Sequence, residues 1–141
     1  MDRANVKEKI KASAEKLFVN QPNIFTFTSE TRQSEWNLAH HLAIELHKEF
    51  PGFDCDVDIV KVNLENRRPD IIFHKRGTNE SNFLVIEVKR DGQPAEIRRD
   101  KERIESVWFS DRLNYRFGAI IDIKSDKTSQ ISVFKNTGES T

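Results

Sequence analysis

Residues 117–123, FGAIIDI, form a short, nearly unbroken apolar run. A half-exposed strand alternates apolar and polar residues. A continuous run of strand length reads instead as a strand buried on both faces. Such a strand needs cover on each side, which points to a layered fold with helices packed on a sheet.

The remainder of the chain supplies those elements. Residues 3–19 place Val6, Ile10, Leu17 and Phe18 on one stripe among Lys and Glu, an amphipathic helix ended by Gln21 and Pro22. The segment NIFTFT at 23–28 fits a short strand or a packed loop. Ser29 is the expected N-cap of a second helix, about 30–50, with Trp36, Ala39, Leu42, Ala43, Leu46 and Phe50 facing inward. Pro51 and Gly52 stop it. The period then switches to alternation. Residues 56–63, with Val57, Ile59 and Val62 among charges, read as a strand, as do 70–75 and 83–89, the last two joined as a hairpin through GTNESN. A helix over 95–109, with Ile97, Ile104, Val107 and Trp108 as its stripe, leads to the apolar strand. QISVF at 130–134 forms a last strand before a polar tail. The expectation is a single α/β domain over 1–141, with a core at about 30–123, an extra N-terminal helix at 3–19, and a short strand and tail within 124–141.

Composition narrows the class further. In 141 residues, 23 Lys and Arg balance 23 Asp and Glu, so zero net charge neither demands nor forbids a nucleic-acid partner. No apolar run approaches the ~20 residues that cross a bilayer, and no membrane role is expected. Cys55, the single cysteine, cannot form an internal disulfide, which fits a reducing compartment. The N-terminus lacks the continuous apolar stretch of a signal peptide, so a cytoplasmic location is expected.

The residues that carry chemistry lie at 67–70 and 87–89. Arg67-Arg68-Pro69-Asp70 is followed, after sixteen residues, by Glu87-Val88-Lys89. Alternate side chains of a strand share a face, so Glu87 and Lys89 project together while Leu84, Ile86 and Val88 face the apolar side. Pairing 70–75 with 83–89 brings Asp70 toward the C-terminal end of the second strand, about 4.8 Å being the usual strand spacing. Two carboxylates and an ammonium then converge. Clustered carboxylates repel one another, and a hard cation such as Mg²⁺ relieves the repulsion through one or two carboxylates plus phosphate and water oxygens. A metal there polarises a phosphodiester and acidifies bound water, while Lys89 holds or helps deprotonate that water and offsets charge building on phosphorus oxygens. The Val88 backbone carbonyl is a further candidate ligand, and Glu35 on the second helix is placed to complete the shell directly or through water.

These residues resemble the PD-(D/E)xK nuclease superfamily, which includes many type II restriction endonucleases and the archaeal Holliday-junction resolvases. The αβββαβ core of that superfamily matches the order of elements expected over 30–123. The resemblance implies a restriction-endonuclease-like fold with a central mixed sheet flanked by helices. It also implies a metal-dependent deoxyribonuclease, an endonuclease of restriction-like or junction-resolving type, using Mg²⁺ with Mn²⁺ able to substitute. Asp70 and Glu87 would be metal ligands, Lys89 the catalytic lysine, and Glu35 the acidic residue of the first core helix, with Glu45 and Glu49 as rivals on the same helix. The alternative is a catalytically idle nuclease-fold subunit that binds DNA or assembles a complex.

Other residues are weighed by pattern. Residues 66–90 hold six basic against three acidic residues, and Arg67 and Arg68 are the expected DNA phosphate contacts. The helix at 95–109 alternates charge sign, which reads as exposed ion pairing, with Lys101 the one candidate for DNA contact. His74 is expected to be an ordinary exposed histidine. Asp122-Ile123-Lys124 repeats the acidic-x-Lys pattern, but Asp122 is read as a strand-end residue. No zinc spacing, P-loop, GxGxxG or GxSxG occurs. A domain this small leaves little surface for reading a long base sequence, so a homodimer or a larger complex supplying specificity is expected. Two sites related by a two-fold axis would cut both strands.

Overall fold

A computed structural model describes residues 1–26, 32–57 and 69–138. The elements are α1 (Arg3–Asn20), α2 (Arg32–Glu49), β1 (Asp54–Val57), β2 (Ile71–His74), β3 (Leu84–Arg90), α3 (Pro94–Arg103) continuing into a π-helical turn (Ile104–Trp108), β4 (Phe117–Ile123) and β5 (Ser129–Lys135). The strands form one mixed sheet in the order β1-β2-β3-β4-β5. Neighbours are antiparallel except β3 and β4, which run parallel with Leu84 beside Phe117 and Arg90 beside Ile123. Parallel neighbours need a crossover, and α3 with its π turn provides it.

The doubly buried strand sits where its composition demands. All seven residues of β4 are buried. Ala119, Ile121 and Ile123 join Leu84, Ile86 and Val88 in a core shared with Val6, Ile10 and Leu17 of α1 and Leu38, Leu42 and Leu46 of α2. Ile120 faces the other way, into a second core with Ile72, Val85, Ile104, Trp108, Leu113 and Tyr115. The result is a three-layer α/β/α arrangement. Asp2 caps α1 by accepting a hydrogen bond from the Asn5 amide at 2.8 Å. Among the described residues, no helix is long and apolar enough to cross a membrane.

Three local readings change. Trp36 is 40% exposed, not inward, and Leu38 takes the place expected for it on the buried stripe of α2. Helix 95–109 does not stay α-helical: the Phe109 amide donates to the Ile104 carbonyl at 2.9 Å, five residues back. That wider turn brings Ile104 and Trp108 into the second core, a packing gain that outweighs regular helix geometry. The strand expected over 56–63 is β1 at Asp54–Val57, while 58–63 lies outside the described residues, as does Ser29.

His74 is buried against expectation. Its Nε2 lies 2.6 Å from Asp56 Oδ2, and the Arg76 guanidinium donates to both oxygens of the same carboxylate, at 3.0 and 2.7 Å. A strand-end histidine with a carboxylate diagonally across the ladder, Asp56 lying opposite Ile72, can be buried because its ring nitrogen is satisfied there.

Close approach of the second helix layer to the sheet occurs at Gly118. A Cβ at this position would overlap Ile104 Cγ2 and press on Phe109. Gly118→Ala is therefore expected to destabilise the fold by about 1–3 kcal/mol through overpacking. Gly52→Ala, where a Cβ meets nothing within 4 Å, should stay within about 0.5 kcal/mol. Urea titration of both variants checks the contrast.

Candidate active site

The site is built where one strand outruns its neighbour. The last β2–β3 pair is Ile71 with Ile86, and β3 continues to Arg90. Extending that register by two residues puts Pro69 opposite Val88. Proline has no N–H, so it cannot donate to the Val88 carbonyl, and the ladder ends. The amides along this edge find carboxylates instead. Val88 N–H donates to Asp70 Oδ2 at 2.7 Å, and Arg90 N–H donates to Glu35 Oε2 at 3.3 Å. A residue's N–H and C=O share one edge of a strand, so the Val88 carbonyl faces the same opening as these two carboxylates.

Glu87 and Lys89 project from the face toward α3. They line one cleft of about 350 Å³ with Glu35, Trp36, Asp70, Glu96, Arg99, Asp100 and Arg103. Asp70 from the start of β2, Glu87 and Lys89 from β3, and Glu35 from the first turn of α2 are thus brought together. Of the remaining site expectations, Arg67 and Arg68 lie outside the described residues. Lys101 is placed elsewhere: its ammonium sits 5.3 Å from the Phe134 ring centroid, over β5. Arg99 and Arg103 occupy the cleft face of α3 in its stead.

Asp100 is the residue that sequence reasoning missed. The alternating charges of its helix read as exposed ion pairing, yet Asp100 is 3% exposed, and its Oδ2 lies 3.2 Å from Lys89 Nζ. Arg103 approaches its other oxygen at 3.7 Å. The available signal was spacing. Asp100 stands three residues after Ile97 and four before Ile104, on the apolar stripe of its helix.

The rival acids serve packing. Glu45 accepts from Asn20 at 2.9 Å and Lys48 at 3.2 Å, and Glu49 pairs with Lys9 and Lys16, all joining α1 to α2 or closing a turn of α2. Asp122 accepts from the Gly92 amide at 2.9 Å and pairs with Lys124 at 2.7 Å, fixing the corner after β3.

Electrostatics mark the cleft as short of positive charge. Five carboxylates line it against three cations. Burial raises the Asp70 pKa to about 6, with the Val88 amide, Glu87 and Lys89 pulling it down and Glu35 adding to the rise. Burial also lifts Glu87 well above the usual carboxylate range, reinforced by the charges of Asp70 and Asp100. Its Oε1 is buried with no hydrogen-bond partner among the described residues. For Lys89, burial favours the neutral amine, but the carboxylates of Asp100, Glu35 and Asp70 outweigh it and raise its pKa.

This donor set fits a sparsely held hard cation. Among the described residues, no three acidic, histidine or cysteine side chains form a ready metal cage. Mg²⁺ uses one or two carboxylates and keeps its waters, and the unbonded, buried Glu87 oxygen beside Asp70 is the kind of ligand it takes.

No family model matches this sequence, and no curated protein matches it. Among solved structures, the chain is similar to the crystal structure of SSO0001, with 14% identity, a TM-score of 0.40 and 92% of this chain covered. The chain spans 65% of that protein's length.

A carboxyl whose folded pKa lies above its unfolded value destabilises the fold as pH rises between the two. For Asp70 that window runs from about pH 4, the unfolded value, to about pH 6, and the cost persists above it. Metal-free Asp70→Asn should therefore melt higher than wild type at pH 7–8, with the gap closing toward pH 4. Millimolar Mg²⁺ or Mn²⁺ should raise the wild-type Tm above pH 6 and leave the variant unmoved. Thermal melts across pH, with and without metal, test both statements.

Proposed function

We propose that this chain is a metal-dependent deoxyribonuclease of the PD-(D/E)xK type, an endonuclease hydrolysing DNA phosphodiester bonds. The observation that carries the reading is the convergence of Glu35, Asp70, Glu87 and Lys89, from α2, the start of β2, and β3, in one cleft. The order α2-β1-β2-β3-α3-β4 agrees with the αβββαβ core of that superfamily. The opening also lies at the carboxyl ends of parallel β3 and β4, where open α/β sheets commonly bind ligands.

In this reading Asp70 and Glu87 hold Mg²⁺, with the Val88 carbonyl as a backbone ligand and Glu35 acting directly or through water. When bound, the ion supplies Lewis-acid stabilisation of the phosphate and a more acidic water. The chain's own groups do the rest. Lys89, kept protonated beside Asp100, donates from Nζ to the attacking water and to the phosphorus oxygens as their charge grows. Asp100 fixes where that ammonium sits. The Val88 and Arg90 amides hold the Asp70 and Glu35 carboxylates in place before any ligand arrives. A single cleft cuts one strand, so double-strand cleavage takes a second copy of the chain or a larger complex.

The decisive experiment offers supercoiled plasmid, single-stranded DNA and a four-way junction to the protein with Mg²⁺ or Mn²⁺. Wild type is expected to cut at least one substrate, and Lys89→Ala should be slower by about 10²–10³-fold, the usual loss when one preorganised donor is removed. Asp100→Asn should lower kcat with KM little changed, and Asp100→Glu should recover part of the loss. Equal cutting by wild type and Lys89→Ala, or none on any substrate, would remove the nuclease reading.

A further inference from the structure

Arg103 stands on the cleft face of α3, one helical turn beyond Arg99. Arg99 is exposed, whereas Arg103 lies deeper, its side chain 39% exposed. Its Nη1 comes within 3.7 Å of Asp100 Oδ1. That is ion-pair range but longer than a hydrogen bond, so the pair leaves the guanidinium N–H fork unengaged. Lys89 is held more closely, at 3.2 Å from the other Asp100 oxygen. Burial and the charges of Asp70 and Asp100 lift the Glu87 pKa, and the charge of Arg103 opposes them. Arg103 thus acts by charge on both buried acids, Glu87 and Asp100, without a close bond to Asp100.

We infer that Arg103 is the counter-cation of the metal-free cleft, and that it turns from the acids to a nonbridging oxygen of the scissile phosphate once metal and DNA are bound. The second half rests on the nuclease reading and adds a catalytic residue to it. Charge is the first argument. Five carboxylates face three cations, and Arg99 stands exposed, so Lys89 and Arg103 are the cations paired with the buried Asp100. A divalent ion on Asp70 and Glu87 takes over the neutralisation of Glu87 and repels a guanidinium close by. One of the two cations then has to give way. Lys89 is the closer partner of the buried Asp100, and withdrawing it would strip that carboxylate of its nearest positive charge. Arg103 leaves at less cost, because Lys89 stays behind. The second argument is the fit of the fork. As the water oxygen bonds to phosphorus, the bond from phosphorus to the leaving oxygen breaks. The water gives its proton to solvent, and the leaving oxygen takes one from solvent. Negative charge meanwhile spreads over the nonbridging oxygens, which a guanidinium fork meets with two N–H groups. Arginine stays protonated throughout and acts by charge and hydrogen bonding alone.

A Mn²⁺ titration reads the first half without any cutting. The free ion is followed by electron paramagnetic resonance in the DNA-free protein, above the pH of about 6 at which Asp70 ionises. Arg103→Ala should bind Mn²⁺ about 2- to 10-fold more tightly than wild type, because a cation that opposes it is gone. Arg103→Lys keeps the charge and should bind as wild type does. Cutting reads the second half, on whichever substrate wild type cleaves. Arg103→Ala should lower kcat by about 10²-fold with KM little changed. Arg103→Lys, which lacks the fork, should recover only part of that loss. Added guanidinium ion should restore part of the Arg103→Ala rate where equal KCl does not. A residue that only braced α3 would weaken Mn²⁺ binding and cutting together and gain nothing from guanidinium. Unchanged or weaker Mn²⁺ binding by Arg103→Ala, or cutting at the wild-type rate, would overturn the inference. The two readings fail separately. Equal cutting by wild type and Arg103→Ala keeps the nuclease and removes Arg103 from its chemistry. Tighter Mn²⁺ binding by Arg103→Ala, with no substrate cut by wild type, keeps the counter-cation and removes the nuclease together with the phosphate contact.

Discussion

The mismatch in length between β2 and β3 is the constraint on which the site depends. A strand that outruns its neighbour leaves backbone amides without ladder partners, and such groups are costly to bury unpaired. Here they are met by carboxylates, Asp70 on Val88 and Glu35 on Arg90. One arrangement thus solves two problems. The amides gain charge-assisted bonds, and acidic groups from two distant stretches of chain are fixed beside Glu87 and Lys89. Pro69 enforces it, because an N–H at that position could have continued the ladder across the place the carboxylates now face.

The same arrangement makes the cleft an unfavourable place in its empty state. Burial disfavours the ionised forms of both Asp70 and Glu87, with Glu35 adding to the effect at Asp70 and the charges of Asp70 and Asp100 adding to it at Glu87. Lys89 and Arg103 enter that group of acids through Asp100, at 3.2 and 3.7 Å. A fold that keeps such a cluster gives up stability at the site, and the two apolar cores on either side of the sheet offset it. Binding a cation would exchange mutual repulsion for attraction, which is why carboxylates raised in this way so often belong to functional sites.

Much of this was legible in the sequence because strand patterning is strict. The apolar run 117–123 fixed a doubly covered strand, and the alternation across 84–89 placed Glu87 and Lys89 on the face away from Leu84, Ile86 and Val88. The helices were less legible at their edges. Trp36 reads as core by hydrophobicity, but it stands at the border of the α2 stripe, where Leu38 takes the buried place. Asp100 reads as surface by its charge, and a partner from another element, Lys89, is what permits its burial. Lys101 and Arg99 are two residues apart in a charged helix, and only the orientation of α3 over the sheet decides which one faces the cleft. His74 was misread for the same reason, since its partner Asp56 belongs to another strand.

The π turn at Ile104–Trp108 ties these levels together. In a regular α-helix, steps of four residues drift by about 40° each, so Asp100, Ile104 and Trp108 would spread around the helix. The wider turn takes up that drift, and Ile104 and Trp108 both reach the core while Asp100 reaches Lys89. Trp108 is locked edge-on against Tyr115, with ring centroids 5.9 Å apart. The helix is therefore clocked from its buried end, like a key whose bit is set by the lock. A side chain that never meets solvent sets the angle at which a carboxylate meets the lysine of the cleft.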